Sequence, residues 1–258
     1  MSNIIKTPDE LQLMREAGKL LARVFAALDE FVKIDVSTME VNDFVEDYIV
    51  NTLNARPASK GQYGYQYVLN SSINEVVCHG VPTQAKRLKN GDIVNIDITL
   101  EKNGYIADSS KMYSIGQPLP IATKLVNVCY DAMWQGISSV KPGATTGDIG
   151  HAIQNYAEKH GFSVVREYCG HGIGREMHEE PQILHFGTPG TGLILAEGMV
   201  FTIEPMINQG TYKTKQKKDG WTVITRDKKL SAQWEHTIAV TASGCEVLTL
   251  RDEESLPF

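Results

Sequence analysis

Apolar residues recur at helical spacing from the start of the chain. Leu11, Met14, Ala17, Leu20, Leu21, Val24 and Leu28 fall on one face of a 3.6-residue period. The Thr7-Pro8-Asp9-Glu10 run ahead of them is a start signal: Thr7 caps, Pro8 takes the first helical position, and Glu10 completes a capping box. Ser37 with Glu40 opens a second helix by the same chemistry. Thr145 with Asp148 opens another, which Gly161 ends. A further helix is predicted from Ile121 to Val140. Between the helices the pattern shortens to strand-like runs. Ile93 to Leu100 and Tyr105 to Ser109 flank Asn103-Gly104, the strongest short hairpin signal. Val200 to Ile207 and Thr237 to Thr241 are further predicted strands. Helices followed by antiparallel strands, twice over, make an α+β pattern.

The pattern also repeats. Leu88 to Asp97 echoes Leu195 to Glu204 at an offset of 107, with leucine, glycine, isoleucine and a terminal acid matched. Val32-Lys33 and Ser37 to Val41 echo Val140-Lys141 and Thr145 to Ile149 at an offset of 108. A duplicated unit of half the chain follows, with halves of about 1–119 and 120–258, and Asp97 and Glu204 in equivalent places. No Pro/Gly/Ser-rich linker divides the halves, so residues 1–258 are expected to be a single catalytic domain with one shared core.

Composition narrows the class. The 258 residues are 42% hydrophobic and 22% charged, ordinary for a soluble globular enzyme. A net charge of −6 argues against nucleic-acid binding by the whole surface. Cys78, Cys129, Cys169 and Cys245 are too sparse for a disulfide scaffold and point to a reducing compartment. Met1 to Pro8 has no apolar signal core, and no run reaches membrane-span length. A cytoplasmic protein without a membrane partner, and a monomer, is expected.

The candidate chemistry is carboxylate-rich. If Asn103-Gly104 forms the loop, Lys102 pairs with Tyr105 and Thr99 with Asp108, and Asp97 lies diagonally from Asp108 on one face. Two such carboxylates repel by roughly 4 kcal/mol at about 4 Å and an effective dielectric of about 20. A buried pair therefore needs a cation or a shared proton; an exposed hairpin with two solvated acids is the other reading. Glu204 ends an apolar run, and Glu235 leads into one, where an edge-strand acid is the alternative. In Cys169-Gly170-His171-Gly172-Ile173-Gly174, three glycines clear space around one histidine, as a ligand would need; an incidental histidine in a glycine-rich turn is the alternative. His79 and His178 are further candidates. Gln182 stands where an HExxH motif beginning at His178 would need histidine, which excludes that type of zinc site. Asp97, Asp108, Glu204, Glu235 and His171 together balance two divalent cations. Oxygen ligands with one imidazole suit Mn²⁺, Fe²⁺ or Co²⁺ better than a cysteine-type zinc site.

These segments closely resemble those of the type I methionine aminopeptidases, metallopeptidases of the pita-bread fold. The likeness runs through Asn95-Ile96-Asp97, Asp108 to Met112, Glu167 to Gly174, His178 to Pro181, Phe201 to Met206 and Ser231 to Thr237. It covers essentially the whole chain and reads as bacterial-type. It implies removal of the N-terminal methionine of nascent polypeptides when the second residue is small, by attack of a dinuclear-metal-activated water on the first peptide bond. It assigns two divalent ions (cobalt, manganese, iron or zinc) to Asp97, Asp108, His171, Glu204 and Glu235. Glu204 also handles the water's proton, and His79 and His178 contact the scissile peptide. A sodium or potassium ion is implied near Asn74, Val76 and Ser231. In the methionine pocket Tyr65, His79 and Trp221 match the family, whereas Ser59, Gln62, Asn70 and Met177 replace the usual Cys, Tyr, Cys and Phe. The wall becomes more polar and more pliable, which bears on selectivity.

Lys213, Lys215, Lys217 and Lys218 form a basic run in an acidic chain. It reads as a solvated hairpin tip or as a contact with ribosomal RNA. Two competing functions remain: an Xaa-Pro peptidase of the same fold, and a catalytically silent binding protein on it.

Overall fold

The computed structural model describes residues 4–256, so Met1 to Asn3 and the last two residues of the second half lie outside the description. Four α-helices carry the predicted boundaries to within a few residues: α1 Pro8–Phe31, α2 Thr38–Asp47, α3 Pro120–Ser138 and α4 Thr146–Lys159. Complete capping boxes open α1, α2 and α4 at Thr7, Ser37 and Thr145. Gly161, at φ +86°, follows the end of α4.

The hairpin folds in the predicted register. Asn103 and Gly104 take φ of +55° and +81°, the left-handed pair that a two-residue turn requires. Lys102 pairs with Tyr105, Thr99 with Asp108 and Asp97 with Ser110. Its arms, Ile93–Lys102 and Tyr105–Ser114, run longer than the sequence indicated. Strands Arg56–Pro57 and Leu69–Ile73 flank the first arm in an antiparallel sheet. A five-stranded antiparallel sheet serves the second half. It runs in the order Cys245–Val247, His236–Val240, Val200–Ile203, Gly170–Gly172, Glu179–Ile183. Among the described residues, two smaller three-stranded sheets complete the β-structure.

One expectation is corrected. The run from Val200 to Ile207 is two strands, Val200–Ile203 and Met206–Asn208, broken at Glu204-Pro205. Proline has no N–H to give a ladder, so the chain leaves one sheet and joins another there. The buried apolar side chains gather in several groups, some of which mix residues of both halves. One large group gathers under α1, α2 and the hairpin, including Leu21, Phe25, Val45, Ile96 and Ile98. A second lies under α3 and α4, including Leu125, Met133, Ile153, Phe201 and Ile238. A third, with Met14, Tyr105, Val200 and Ala239, joins residues of both halves.

The echoing segments make matching backbone bonds. Asp35 N–H donates to Leu88 O, and Gly143 N–H to Leu195 O. Leu88 N–H donates to Val36 O, and Leu195 N–H to Ala144 O. Thr38 N–H donates to Lys86 O, and Thr146 N–H to Leu193 O. Gly91 and Gly198 adopt φ of +95° and +86° at corresponding turns. Each turn delivers its chain into a strand that carries an acid, Asp97 within the first and Glu204 at the end of the second.

Candidate active site

Both halves deliver side chains to one cleft. Asp97 and Asp108 project from the same face of the hairpin, one diagonal step apart. Glu204 stands at the break between two strands. Its backbone N–H, left without a ladder partner, donates to His185 Nε2 at 3.1 Å. Its carboxylate accepts from Thr202 Oγ1 at 2.8 Å and Gln233 Nε2 at 3.3 Å. The same Thr202 hydroxyl accepts the His171 N–H at 3.0 Å, so one threonine ties histidine to glutamate. Glu235, 2% exposed, sits between the Ser231–Gln233 and His236–Val240 strands. A bridge from Ser110 to Glu235 and a bond from Ser109 Oγ to Glu235 O (2.7 Å) stitch the halves together. Thr237 Oγ1 donates to Asp108 O at 2.8 Å beside them.

The four acids share a poorly solvated space. Burial, then the charge of Asp97, then that of Glu204 push Asp108 well above the usual carboxylate range. Burial, then Asp108, Glu204 and Asp97 do the same to Glu235, against a smaller opposing pull from Arg251. Burial raises Glu204 to about 8, opposed by the Thr202 bond and assisted by the Asp97 charge. Asp97 keeps some surface open to the cleft while its carboxyl lies deep. Burial raises it to about 6, against hydrogen bonds with Asn70 and Asp108.

His171 defines what would relieve this. Its Nδ1 lies 3.0 Å from the Gly172 carbonyl, which can only accept, so Nδ1 carries the proton. Nε2 is then a bare lone pair, and burial, with the neighbouring His178, lowers the ring to about 4 and keeps it neutral. That lone pair faces Glu204 Oε1 at 3.5 Å and Asp108 Oδ2 at 3.9 Å. Acceptors turned on one another in a buried site repel unless a cation or a shared proton lies among them. Ligand atoms of Asp108, His171 and Glu235 all fall within 4.8 Å of one another, and Asp108 Oδ1 is buried without a hydrogen-bond partner among the described residues. The donor set fits divalent metal, and Asp97 and Glu204 border it. Two of the three glycines around His171, expected to clear room for a ligand, make room for backbone. A Cβ on Gly170 would lie 2.3 Å from Thr202 O, and one on Gly172 2.0 Å from Glu180 O.

The cleft has a volume of about 520 Å³, and its lining includes all five of these residues. His79 and His178 line it too. The His178 ring lies 4.4 Å from that of His171, and His79, held at φ +55°, packs edge-on against Tyr168. Burial, then His178, lowers His79 to about 4. Ser59, Gln62, Tyr65, Asn70, Met177 and Trp221 are all on the lining, with Tyr65 and Trp221 in ring contact at 4.9 Å. Sequence reasoning missed Tyr63, Thr99, Tyr168 and His185. Tyr63 is 75% exposed in a left-handed turn and lies beside His178. Thr99 was visible as the partner of Asp108. His185 gave no signal, because its role arises from the strand break. Asn74, Val76 and Ser231 lie outside the cleft lining. The Ser231 N–H donates to Asn74 O at 2.9 Å, and Val76 begins the Val76–Cys78 strand. The four lysines of the 213–218 run are exposed, on and beside the Thr214–Gln216 strand. All four cysteines are free, and among the described residues no helix is long and apolar enough to cross a membrane.

An acid-rich, imidazole-bearing cleft between two matched halves is the architecture of a metallopeptidase. Residues 12–242 match metallopeptidase family M24, and the chain belongs to that family. Within it, the chain is 51% identical to the methionine aminopeptidase of Salmonella typhimurium, covering 100% of this chain and 97% of that protein. It is 53% identical to the crystal structure of the Rickettsia prowazekii methionine aminopeptidase, covering 95% and 99% of the two chains, with a TM-score of 0.93. The fold is the pita-bread fold. A prolidase structure from Pyrococcus horikoshii shares it at 24% identity and a TM-score of 0.79, covering 98% of this chain and 65% of that one.

Proposed function

We propose that this chain is a methionyl aminopeptidase that removes N-terminal methionine from nascent chains when the second residue is small. The observation that carries the reading is the bare Nε2 of His171 turned on the carboxylates of Asp108 and Glu204. Such an arrangement calls for a divalent ion, and the whole-length likeness to methionine aminopeptidases supplies the reaction.

Asp97, Asp108, His171, Glu204 and Glu235 would hold two divalent ions. Bound there, the ions supply Lewis acidity toward water and the scissile carbonyl. The chain's own residues do the rest. Glu204, held by Thr202 and Gln233, takes the proton of the attacking water. His79, neutral and half-buried, and His178 at the rim hold the peptide and pass a proton to the leaving amine. Ser59, Gln62, Tyr65, Asn70, Met177 and Trp221 surround the first side chain. Asn74, Val76 and Ser231 would hold a monovalent cation. The chain works as a single catalytic domain grown from a duplicated unit, which the matched bonds at offset 107–108 support. Nascent-chain substrates fit a cytoplasmic enzyme, and a monomer is part of the same reading. Lys213, Lys215, Lys217 and Lys218 contact ribosomal RNA near the emerging chain; replacing all four with glutamate should weaken ribosome co-sedimentation at low salt, and unchanged binding would sink that part.

The test is turnover of Met-Ala-Ser against an Xaa-Pro peptide with Mn²⁺, Fe²⁺ and Co²⁺, beside calorimetric metal titration. Methionine release with tight divalent binding is expected. Preference for the Xaa-Pro peptide, or no metal and no turnover, would refute the reading. Asp97→Asn should abolish release; retained activity would refute the ligand assignment.

A further inference from the structure

Part of the cleft lining is amphipathic. Met177, Tyr65 and Trp221 offer apolar surface, while Ser59, Thr99 and Asn70 offer donors. Ser59 Oγ and Thr99 Oγ1 lie 2.6 Å apart, and both residues are buried. Each hydroxyl owns one proton, and the bond between them consumes one. Among the described residues no acceptor takes the second. Asn70 spends one amide N–H on Asp97 Oδ2 at 3.4 Å and keeps another. A thioether makes little use of such donors, because its sulfur is a weak acceptor. A sulfoxide oxygen at the same place is a strong acceptor, and an apolar pocket would leave it stranded.

We propose that the cleft accepts N-terminal methionine sulfoxide as well as methionine, its sulfoxide oxygen taking the spare proton of the Ser59–Thr99 hydroxyl pair. The inference rests on the aminopeptidase reading, with these residues around the first side chain. The reaction is unchanged: water adds across the first peptide bond, a free amine leaves, and the S–O bond is untouched. Because the hydroxyl pair sits at a fixed place, the two sulfoxide epimers differ.

The test uses the metal-loaded full chain with Met-Ala-Ser, the two separated epimers of Met(O)-Ala-Ser, and norleucine-Ala-Ser. One epimer is expected within about tenfold of methionine in kcat/KM, with the other slower. In the Ser59→Ala, Thr99→Val double variant, the sulfoxide-to-methionine ratio should fall by about tenfold or more, while the norleucine-to-methionine ratio stays put. The idea is overturned if both epimers run more than about a hundredfold slower than methionine in the unaltered enzyme, or if the double variant leaves the sulfoxide ratio where it was. Should the double variant fail to fold, product inhibition of the unaltered enzyme decides. Free methionine sulfoxide should inhibit within about tenfold of methionine, and a gap beyond about a hundredfold overturns the proposal. If none of the peptides turns over, the aminopeptidase reading falls and takes this inference with it.

Discussion

Replacing His185 by leucine removes one acceptor from the interior and leaves its donor behind. The donor is the Glu204 N–H, 3.1 Å from His185 Nε2, with His185 1% and Glu204 8% exposed. No strand neighbour can take it over, because the ladder stops at Ile203 and Pro205 follows. An unsatisfied buried N–H costs about 1–3 kcal/mol. In a chain of this size that lowers the melting temperature by roughly 2–10 °C. Glu204 would also lose the anchor of its backbone, so affinity for Mn²⁺ should drop by about tenfold or more. His185→Gln keeps a carbonyl acceptor and should recover most of both losses. Urea unfolding of the metal-free protein measures the first quantity, and calorimetric Mn²⁺ titration the second. If His185→Leu unfolds within about 0.5 kcal/mol of the parent and binds Mn²⁺ equally well, the His185–Glu204 bond has no such role.

Other outcomes follow from neighbouring features. Thr145→Ala deletes the hydroxyl that caps α4 and should cost about 1 kcal/mol in urea unfolding. Gly172→Ala would set a methyl 2.0 Å from Glu180 O, forcing the Gly170–Gly172 and Glu179–Ile183 strands apart. A loss of about 2 kcal/mol or more is expected, with weaker Mn²⁺ binding by calorimetry; normal values for both would refute the packing argument. Glu254 is held well below the usual carboxylate range. Burial would raise it, but hydrogen bonding to His236 and the nearby Arg251 guanidinium outweigh that. Its folded pKa is depressed, so its contribution is complete above its unfolded value of 4.5 and lost as pH falls through the folded value. The stability gap between the parent and Glu254→Gln should therefore narrow between about pH 6 and about pH 4, and a widening gap would reverse the sign.

Local chemistry made much of this legible in the sequence. Asn103-Gly104 fixed the hairpin register, and that register placed Asp97 beside Asp108. Thr7, Ser37 and Thr145 marked their helices because a capping hydroxyl acts within three residues. The break at Glu204 was signalled by Pro205, yet the apolar run around it read as one strand. The glycines flanking His171 were visible, but not what they adjoin, since Thr202 and Glu180 reach them only through the sheet. His185 stayed hidden for the same reason. A buried imidazole that serves a backbone N–H nineteen residues on leaves no local pattern. The Ser59–Thr99 pair likewise spans a separation of 40 residues.

The proposed metal cradle draws two acids from the first half and its remaining members from the second, the last of them docked against Ser110. A growing chain therefore exposes Asp97 and Asp108 long before Glu235 exists to join them. Until then it offers two repelling carboxylates and little reason to capture an ion. On that ligand assignment, metal capture becomes a mark of finished synthesis. A chain cut short before residue 235 should stay metal-poor and inert rather than act as a stray peptidase.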